Sequence, residues 1–106
     1  MTTFDKREQG FESKLAHDEE IRFRAIARRN REFGLWIAGK LGKSGAEAER
    51  YAEEVVQREI EGGPERALAA VKADLEKAGA PLSDHQLRAK ADELLARAVA
   101  ALKTGG

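Results

Sequence analysis

The residues that most resemble a chemical site are Gly42, Lys43 and Ser44, which match the end of a phosphate-binding loop. A helix predicted to start after Ser44 would present backbone N–H groups that can hold an anion. The full loop also needs a glycine five residues before Gly42, but Ile37 stands there, within a helical pattern rather than after a strand. Weak nucleotide contact through Lys43 and Ser44 therefore stays open, whereas NTP hydrolysis is not expected.

A second candidate is a group of five arginines within residues 22–31, directly after three acidic residues. At helical spacing, Asp18 with Arg22 and Glu20 with Arg24 are i, i+4 pairs in the favourable order, so a solvated, paired face is expected. The alternative is docking against an acidic partner, since residues 1–43 carry ten basic and seven acidic side chains. The secondary docking candidates are Arg22, Arg24, Arg28 and Arg29.

Catalytic and metal sites are not expected. The chain has no cysteine and two histidines, which excludes a thiolate nucleophile and a cysteine zinc site. Neither His17 nor His85 follows a glutamate by three residues, as in di-iron bundles. Adjacent carboxylates such as Glu53 and Glu54 point to different faces of a helix and form no acid–base pair. The sequence therefore predicts no enzyme, no metal and no cofactor.

The balance of charges and the lack of long apolar runs argue against nucleic acid and membranes as partners. Nineteen basic and nineteen acidic residues give no net field toward nucleic acid or anionic lipid, so neither nucleic-acid binding nor membrane insertion is expected. No apolar run approaches the roughly 20 residues of a membrane span, and the N-terminus has no signal-peptide pattern. We therefore expect a cytoplasmic protein.

The elements that must position these residues are helices, because Ala, Glu, Lys, Arg and Leu dominate the 106-residue chain. This length allows one domain. Apolar periodicity between boundaries marked by glycine and proline predicts four helices, which short connections arrange as an antiparallel bundle. The predicted fold is an all-α four-helix bundle over residues 18–104, with helices at about 18–41, 45–61, 64–78 and 84–103.

Local patterns define the helix ends and their inner sides. Ser44 with Glu47, and Ser83 with Gln86, have the spacing of a capping box. Gly34 predicts either a bend in the first helix or a close approach by another helix. The apolar patch around Trp36 is expected in the core. The inner side of the first helix is expected to carry Phe23, Ile26, Phe33, Ile37 and Leu41, and that of the second Ala48, Tyr51, Ala52, Val55 and Ile60.

The first 17 residues stand apart as a flexible or marginally helical N-terminal arm. Phe4, Phe11 and Leu15 fall at i, i+7 and i+11, a narrow helical stripe, but Gly10 interrupts it and the flanks are charged. Isolated helices of this length rarely persist in water, so we expect a frayed arm until a partner accepts its apolar residues. This pattern is typical of a helix that binds in a groove.

Seven short motifs between residues 4 and 36 are too specific to arise from low complexity. They are Phe4-Asp5, Arg7-Glu8, Phe11-Glu12, Ala16-His17-Asp18-Glu19-Glu20, Phe23-Arg24, Ala27-Arg28-Arg29-Asn30 and Gly34-Leu35-Trp36. A looser likeness continues through residues 51–56 to the C-terminus. With these motifs, the chain closely resembles the ATPase inhibitor subunit zeta family of alphaproteobacterial F-type ATP synthases.

This resemblance implies that the N-terminal segment inserts between the alpha and beta subunits of the ATPase head and against gamma, which stalls rotation in the hydrolytic direction only. The expected partner is therefore the catalytic head, bound at the cytoplasmic side of the inner membrane, and the free protein is expected to be a monomer. The alternative is a small nucleotide- or nucleic-acid-binding bundle. The residues expected to bind the partner are Phe4, Asp5, Arg7, Glu8, Phe11, Glu12, Lys14 and Leu15.

Overall fold

The structure is a computed structural model that describes the backbone of residues 2–104 and the side chains of residues 18–104. Over this range it contains four α-helices: α1 (Thr2–Lys40), α2 (Gly45–Gly62), α3 (Pro64–Lys77) and α4 (Asp84–Lys103). Helix α1 contacts each of the other three helices, and α2 also contacts α3. The predicted all-α four-helix bundle is confirmed.

The bounds of α2, α3 and α4 agree with the predicted ones to within a residue. Helix α1 differs, because it begins at Thr2 rather than near residue 18. Its backbone therefore runs as one helix through the segment predicted as an arm and into the bundle. The division of the chain into an arm of residues 1–17 and a domain of residues 18–104 stays a prediction.

The two predicted capping boxes have different outcomes. At α4 the box is confirmed: the Gln86 N–H donates to Ser83 Oγ over 3.1 Å, and the Ser83 N–H donates to Gln86 Oε1 over 2.9 Å. At α2 the prediction is wrong, since the side chain of Ser44 makes no capping hydrogen bond. Gly45, the first residue of α2, has a left-handed φ of +57°, so the first turn departs from regular capping geometry.

The turns after α2 and α3 follow their sequence patterns. Pro64 is the first residue of α3, where its fixed φ suits the helix and its missing N–H costs nothing. Gly79 ends the turn after α3 with a φ of +75°, as predicted for a left-handed C-terminal position. The Ala80 N–H donates to the carbonyl oxygen of Leu75 over 2.9 Å, which closes this end of the helix.

The core lies around the C-terminal third of α1. Ile37 of α1, Val71 and Leu75 of α3, and Leu87 of α4 are fully buried. The cluster also includes Ala38 of α1 and Tyr51 and Val55 of α2. Phe33, Trp36 and Leu68 are among the half-buried residues that pack against it. Burying each such aliphatic side chain contributes roughly 1.5–3 kcal/mol, so this cluster carries much of the bundle's stability.

Gly34 marks the place where α1 and α2 pass closest. A Cβ atom built on Gly34 would lie 2.7 Å from Cα and 3.0 Å from Cβ of Ala52, closer than two carbon atoms normally approach. Of the two alternatives that the sequence left open, the structure therefore has the close approach. Only glycine lets the two backbones meet at this separation.

The Trp36 ring of α1 lies close to a lysine of its own helix and to a lysine of α4. Its ring centroid is 6.1 Å from that of Phe33, and the ammonium groups of Lys40 and Lys90 lie 5.3 Å and 5.4 Å from the Trp36 ring centroid. Because Lys90 belongs to α4, this contact joins the end of α1 to the start of α4. The predicted core position of the Trp36 patch is confirmed: Ile37 is fully buried, and Trp36 packs half-buried against the cluster.

Candidate functional site

The predicted partner-binding residues all lie in the N-terminal part of α1. Their side chains lie outside the described residues, so their roles stay predictions. Residues 18–20 are exposed, and the first buried residue of α1 in the described part is Ile21, followed by Ala25. Among the described side chains of α1, packing against the bundle therefore begins at Ile21. The predicted arm residues are Phe4, Asp5, Arg7, Glu8, Phe11, Glu12, Lys14 and Leu15.

The arginine group is largely paired within the protein. Arg24 pairs with Glu20 over 2.7 Å, as predicted, and Arg28 pairs with Glu32 over 3.1 Å. The predicted pair of Arg22 with Asp18 is not present, and Arg22 makes no ion pair within residues 18–104. Exposed pairs of this kind contribute at most about 1 kcal/mol, so they define a solvated face rather than a structural core.

Two other arginines of this group bridge α1 to α2. Arg31 holds both carboxylate oxygens of Glu49 at 2.8 Å and 2.6 Å, and Arg29 lies 4.0 Å from Glu59. Arg29 precedes Arg31 in α1, whereas its partner Glu59 follows Glu49 in α2, so the two helices run antiparallel. Of the four docking candidates, Arg24, Arg28 and Arg29 thus have acidic neighbours in the same chain, and Arg22 is the one most available to a partner among the described residues.

Lys43 and Ser44, the candidate nucleotide contacts, lie in the turn between α1 and α2. Lys43 is half-buried and Ser44 is exposed. Lys43 lines an open depression together with Arg58 and Lys77, which the sequence analysis did not single out, and with the carboxylates of Glu54 and Asp74. The three cations are far apart in sequence, because Lys43 lies in the turn between α1 and α2, Arg58 in α2 and Lys77 at the end of α3. No local sequence pattern could therefore have predicted that they share one depression.

The charge of Arg58 is partly used inside the protein. Asp74 accepts hydrogen bonds from the Tyr51 hydroxyl over 2.9 Å and from Arg58 over 3.1 Å. Burial and the hydrogen bond to Asp74 raise the pKa of Tyr51. Burial opposes the charge of Arg58, but the hydrogen bond to Asp74 outweighs it and raises the pKa of Arg58. This network keeps Tyr51 protonated and ties α2 to α3.

Metal binding and membrane insertion gain no support from the described residues. Within residues 18–104, no three side chains of the types that ligate metals come together, and His85 is exposed in the first turn of α4. No helix in the described part of the chain is long and apolar enough to cross a bilayer.

Two large apolar residues that were expected on inner faces are instead exposed. Phe23 of α1 is 76% exposed and Ile60 of α2 is 73% exposed, so both predictions were wrong. Phe23 lies three turns before Gly34 on the same face of α1, whereas Ile60 is turned about 80° from Ala52 around α2. Helix α2 ends at Gly62, however, and the chain turns away into α3, which leaves Phe23 without a covering neighbour.

Four helices packed around one small apolar core make the described part of the chain an all-α helical bundle. A comparison with known families matches residues 1–101 to the family described as ATPase inhibitor subunit zeta. The match spans nearly the whole chain, so the protein belongs to this family, and the resemblance seen in its motifs is confirmed. The family description names an inhibitor subunit of an ATPase. A search of the curated proteins finds no match.

Proposed function

We propose that this protein inhibits ATP hydrolysis by the F-type ATP synthase, with its N-terminal segment inserted at an alpha/beta/gamma catalytic interface of the ATPase head. The observation that carries the proposal is the family match over residues 1–101, which includes the entire N-terminal segment. The spacing of Phe4, Phe11 and Leu15 supports it, because a narrow apolar stripe on a helix suits a groove between subunits.

The role of the bundle follows from how α1 is built. The helix that carries the predicted arm continues into the core, where Ala25 and Ile37 are fully buried. The bundle therefore holds the C-terminal half of α1 in place, and in this proposal the first four to five turns are the part that the partner encloses. Ordering a segment on binding costs a few kcal/mol of the contact energy, so arm helicity should control affinity.

The proposed inhibition acts in one direction. In hydrolysis, rotation of gamma would close the catalytic interface on the arm, whereas rotation in the synthesis direction would open it and release the arm. The bound protein would lie at the cytoplasmic side of the inner membrane, and the free protein would be a cytoplasmic monomer. No cofactor takes part.

The test is ATP hydrolysis by the purified ATPase from the same source, with three proteins added in parallel. Full-length protein should inhibit, whereas a version that begins at Asp18 and the variant Phe11→Ala should lose most inhibition. Thermal unfolding provides the control, because the described core begins at Ile21 and neither change should lower the melting temperature. Inhibition by the version that begins at Asp18 would place the activity in the bundle and refute the arm mechanism.

A second candidate function is weak nucleotide binding, since Lys43, Arg58 and Lys77 line one depression. Titration with ATP or ADP, followed by backbone amide chemical shifts, tests it. Shifts confined to the neighbourhood of these three residues would support the alternative, and unchanged spectra would exclude it. RNA in the same titration tests the arginine group, for which unchanged spectra are expected because most of its charges are paired.

A further inference from the structure

Helix α1 has a buried face and an exposed face where its described side chains begin. Ile21 and Ala25 are four residues apart, so they share one face, and both are buried. Phe23 lies about 200° around the helix from each of them and is exposed. Another part of the protein therefore covers one side of α1 at this level and leaves the opposite side in solvent.

Helices α2 and α3 do not account for this burial. Helix α2 packs on the face of α1 that carries Gly34, and Phe23 lies three turns earlier on that same face. The buried residues lie on the other side. Helix α3 begins at Pro64, which lines one cavity with Arg29, and α3 runs from there toward the core cluster. It therefore runs away from the N-terminal end of α1.

Helix α4 runs antiparallel to α1 and reaches the level of Ile21. Its first turn packs beside Ile37, since Leu87 belongs to the same core cluster. One turn later, Ala91 lines a cavity together with Asn30 of α1. The distance from Ile37 back to Ile21 is about 24 Å, and the same distance from Leu87 ends at the last residue of α4. The end of α4 is therefore the part of the fold that covers the buried face of α1 there.

The last turns of α4 continue its buried face. Ala98 is buried, and Ala101 and Leu102 are half-buried, at steps of three and four residues from Ala98. The Thr104 hydroxyl closes the helix, since it donates to the carbonyl oxygens of Ala100 over 3.2 Å and Ala101 over 3.0 Å. These bonds satisfy carbonyl groups that the end of a helix leaves without an intrahelical partner. The end of α4 is thus an ordered, apolar surface that faces α1.

We propose that the last turns of α4, residues 98–104, hold the base of the arm, residues 18–25, in the orientation that the ATPase requires. This inference rests on the proposed function. Because α1 is one helix, holding the buried face of the arm base sets the direction in which residues 2–17 leave the bundle. Leu102, the largest apolar side chain in these turns, is a positioning residue, since it acts on inhibition through α1 and contacts no ATPase residue. An arm base that moves freely must be ordered on binding, which lowers affinity.

The test compares full-length Leu102→Ala with the matched control Leu95→Ala. Both leucines are half-buried on one face of α4, seven residues apart, but Leu95 lies about 10 Å farther from the end of the helix. Both substitutions remove the same atoms, so both should lower the melting temperature. Only Leu102→Ala should speed amide hydrogen exchange of residues 18–25 in the free protein and raise the concentration for half-maximal inhibition of ATP hydrolysis about fivefold. Leu102→Met, which restores the side-chain volume, should return both readouts to wild type.

A second variant tests the same turn without removing core atoms. Thr104 is exposed, and Thr104→Ala deletes the two hydrogen bonds that its hydroxyl donates to α4. This variant should change both readouts in the same direction as Leu102→Ala and by less. It decides the inference if Leu102→Ala does not fold.

The outcomes separate the inference from the proposed function. If residues 18–25 exchange equally fast in Leu102→Ala and Leu95→Ala, the end of α4 does not hold the arm base and the inference is refuted. If Leu102→Ala speeds exchange but inhibits like wild type, while Phe11→Ala loses inhibition, the orientation of the arm does not matter; the inference is refuted and the proposed function stands. If wild type neither binds nor inhibits, the proposed function fails and the inference fails with it.

Discussion

Replacing Gly34 by alanine tests the packing of α1 on α2 most directly. The added Cβ would lie 2.7 Å from Cα, 3.0 Å from Cβ and 3.3 Å from the carbonyl oxygen of Ala52. Carbon atoms in contact prefer about 3.5–4.0 Å, so the helices must separate by roughly 1 Å. Most of these contacts are to backbone atoms, which cannot rotate away as a flexible side chain can.

The expected cost follows from two opposing effects. Overpacking of this kind costs about 1–3 kcal/mol. Alanine is also a better helix former than glycine by about 1 kcal/mol, which offsets part of the loss. We therefore expect Gly34→Ala to lower the free energy of unfolding by up to about 2 kcal/mol, and each kcal/mol should lower the melting temperature by about 4–8 °C.

Gly39→Ala is the matched control, because Gly39 lies in the same helix and nothing lies within 4 Å of the Cβ position. This variant should gain up to about 1 kcal/mol from helix propensity alone. Thermal and urea unfolding followed by far-ultraviolet circular dichroism measure both changes. The reasoning is refuted if Gly34→Ala is as stable as Gly39→Ala, since α1 and α2 would then not meet at Gly34.

Three further predictions concern single sites. Burial and the hydrogen bond to Asp74 raise the pKa of Tyr51. The protonated hydroxyl therefore stabilises the fold fully below the ordinary tyrosine pKa of about 10. This stabilisation is lost as the pH rises above that value. Since the chain has one tyrosine, its near-ultraviolet titration should have a midpoint above about 10 in the folded protein and near 10 in urea; equal midpoints would contradict the network. Ser83→Ala should cost about 1 kcal/mol in urea unfolding and Ser44→Ala clearly less, because only Ser83 accepts a capping hydrogen bond; equal losses would contradict this difference. Gly10→Ala should lower the concentration for half-maximal inhibition about fivefold, since roughly 1 kcal/mol less is lost in forming the bound helix; unchanged inhibition would mean that helix formation in the arm does not limit binding.

Most of the fold could be predicted because helix boundaries are local. The capping box at Ser83, the proline at the start of α3 and the left-handed Gly79 each involve a few neighbouring residues, and all three predictions are confirmed. The capping box predicted at Ser44 is absent because Gly45 has a positive φ, which alters the first turn of α2. Spacing alone does not determine which backbone region a glycine adopts.

Features that depend on two helices were harder to predict. Periodicity predicted Phe23 and Ile60 on inner faces, and both predictions were wrong, because periodicity carries no information on where the neighbouring helix stops. The i, i+4 pair of Glu20 with Arg24 was predictable, whereas the pair of Arg31 with Glu49 requires knowing the register of α1 against α2. The sequence predicted that Gly34 marks either a bend or a close approach of helices, and only the position of Ala52 distinguishes the two.

The surroundings of Trp36 make its fluorescence sensitive to the folding of the bundle. It is the only tryptophan in the chain, and one of the two ammonium groups near its ring comes from α4. The local electric field at the indole, and with it the emission wavelength, therefore depends on α4 being docked. Intrinsic fluorescence can thus monitor the integrity of the bundle in the same cuvette in which ATPase binding is followed by another label.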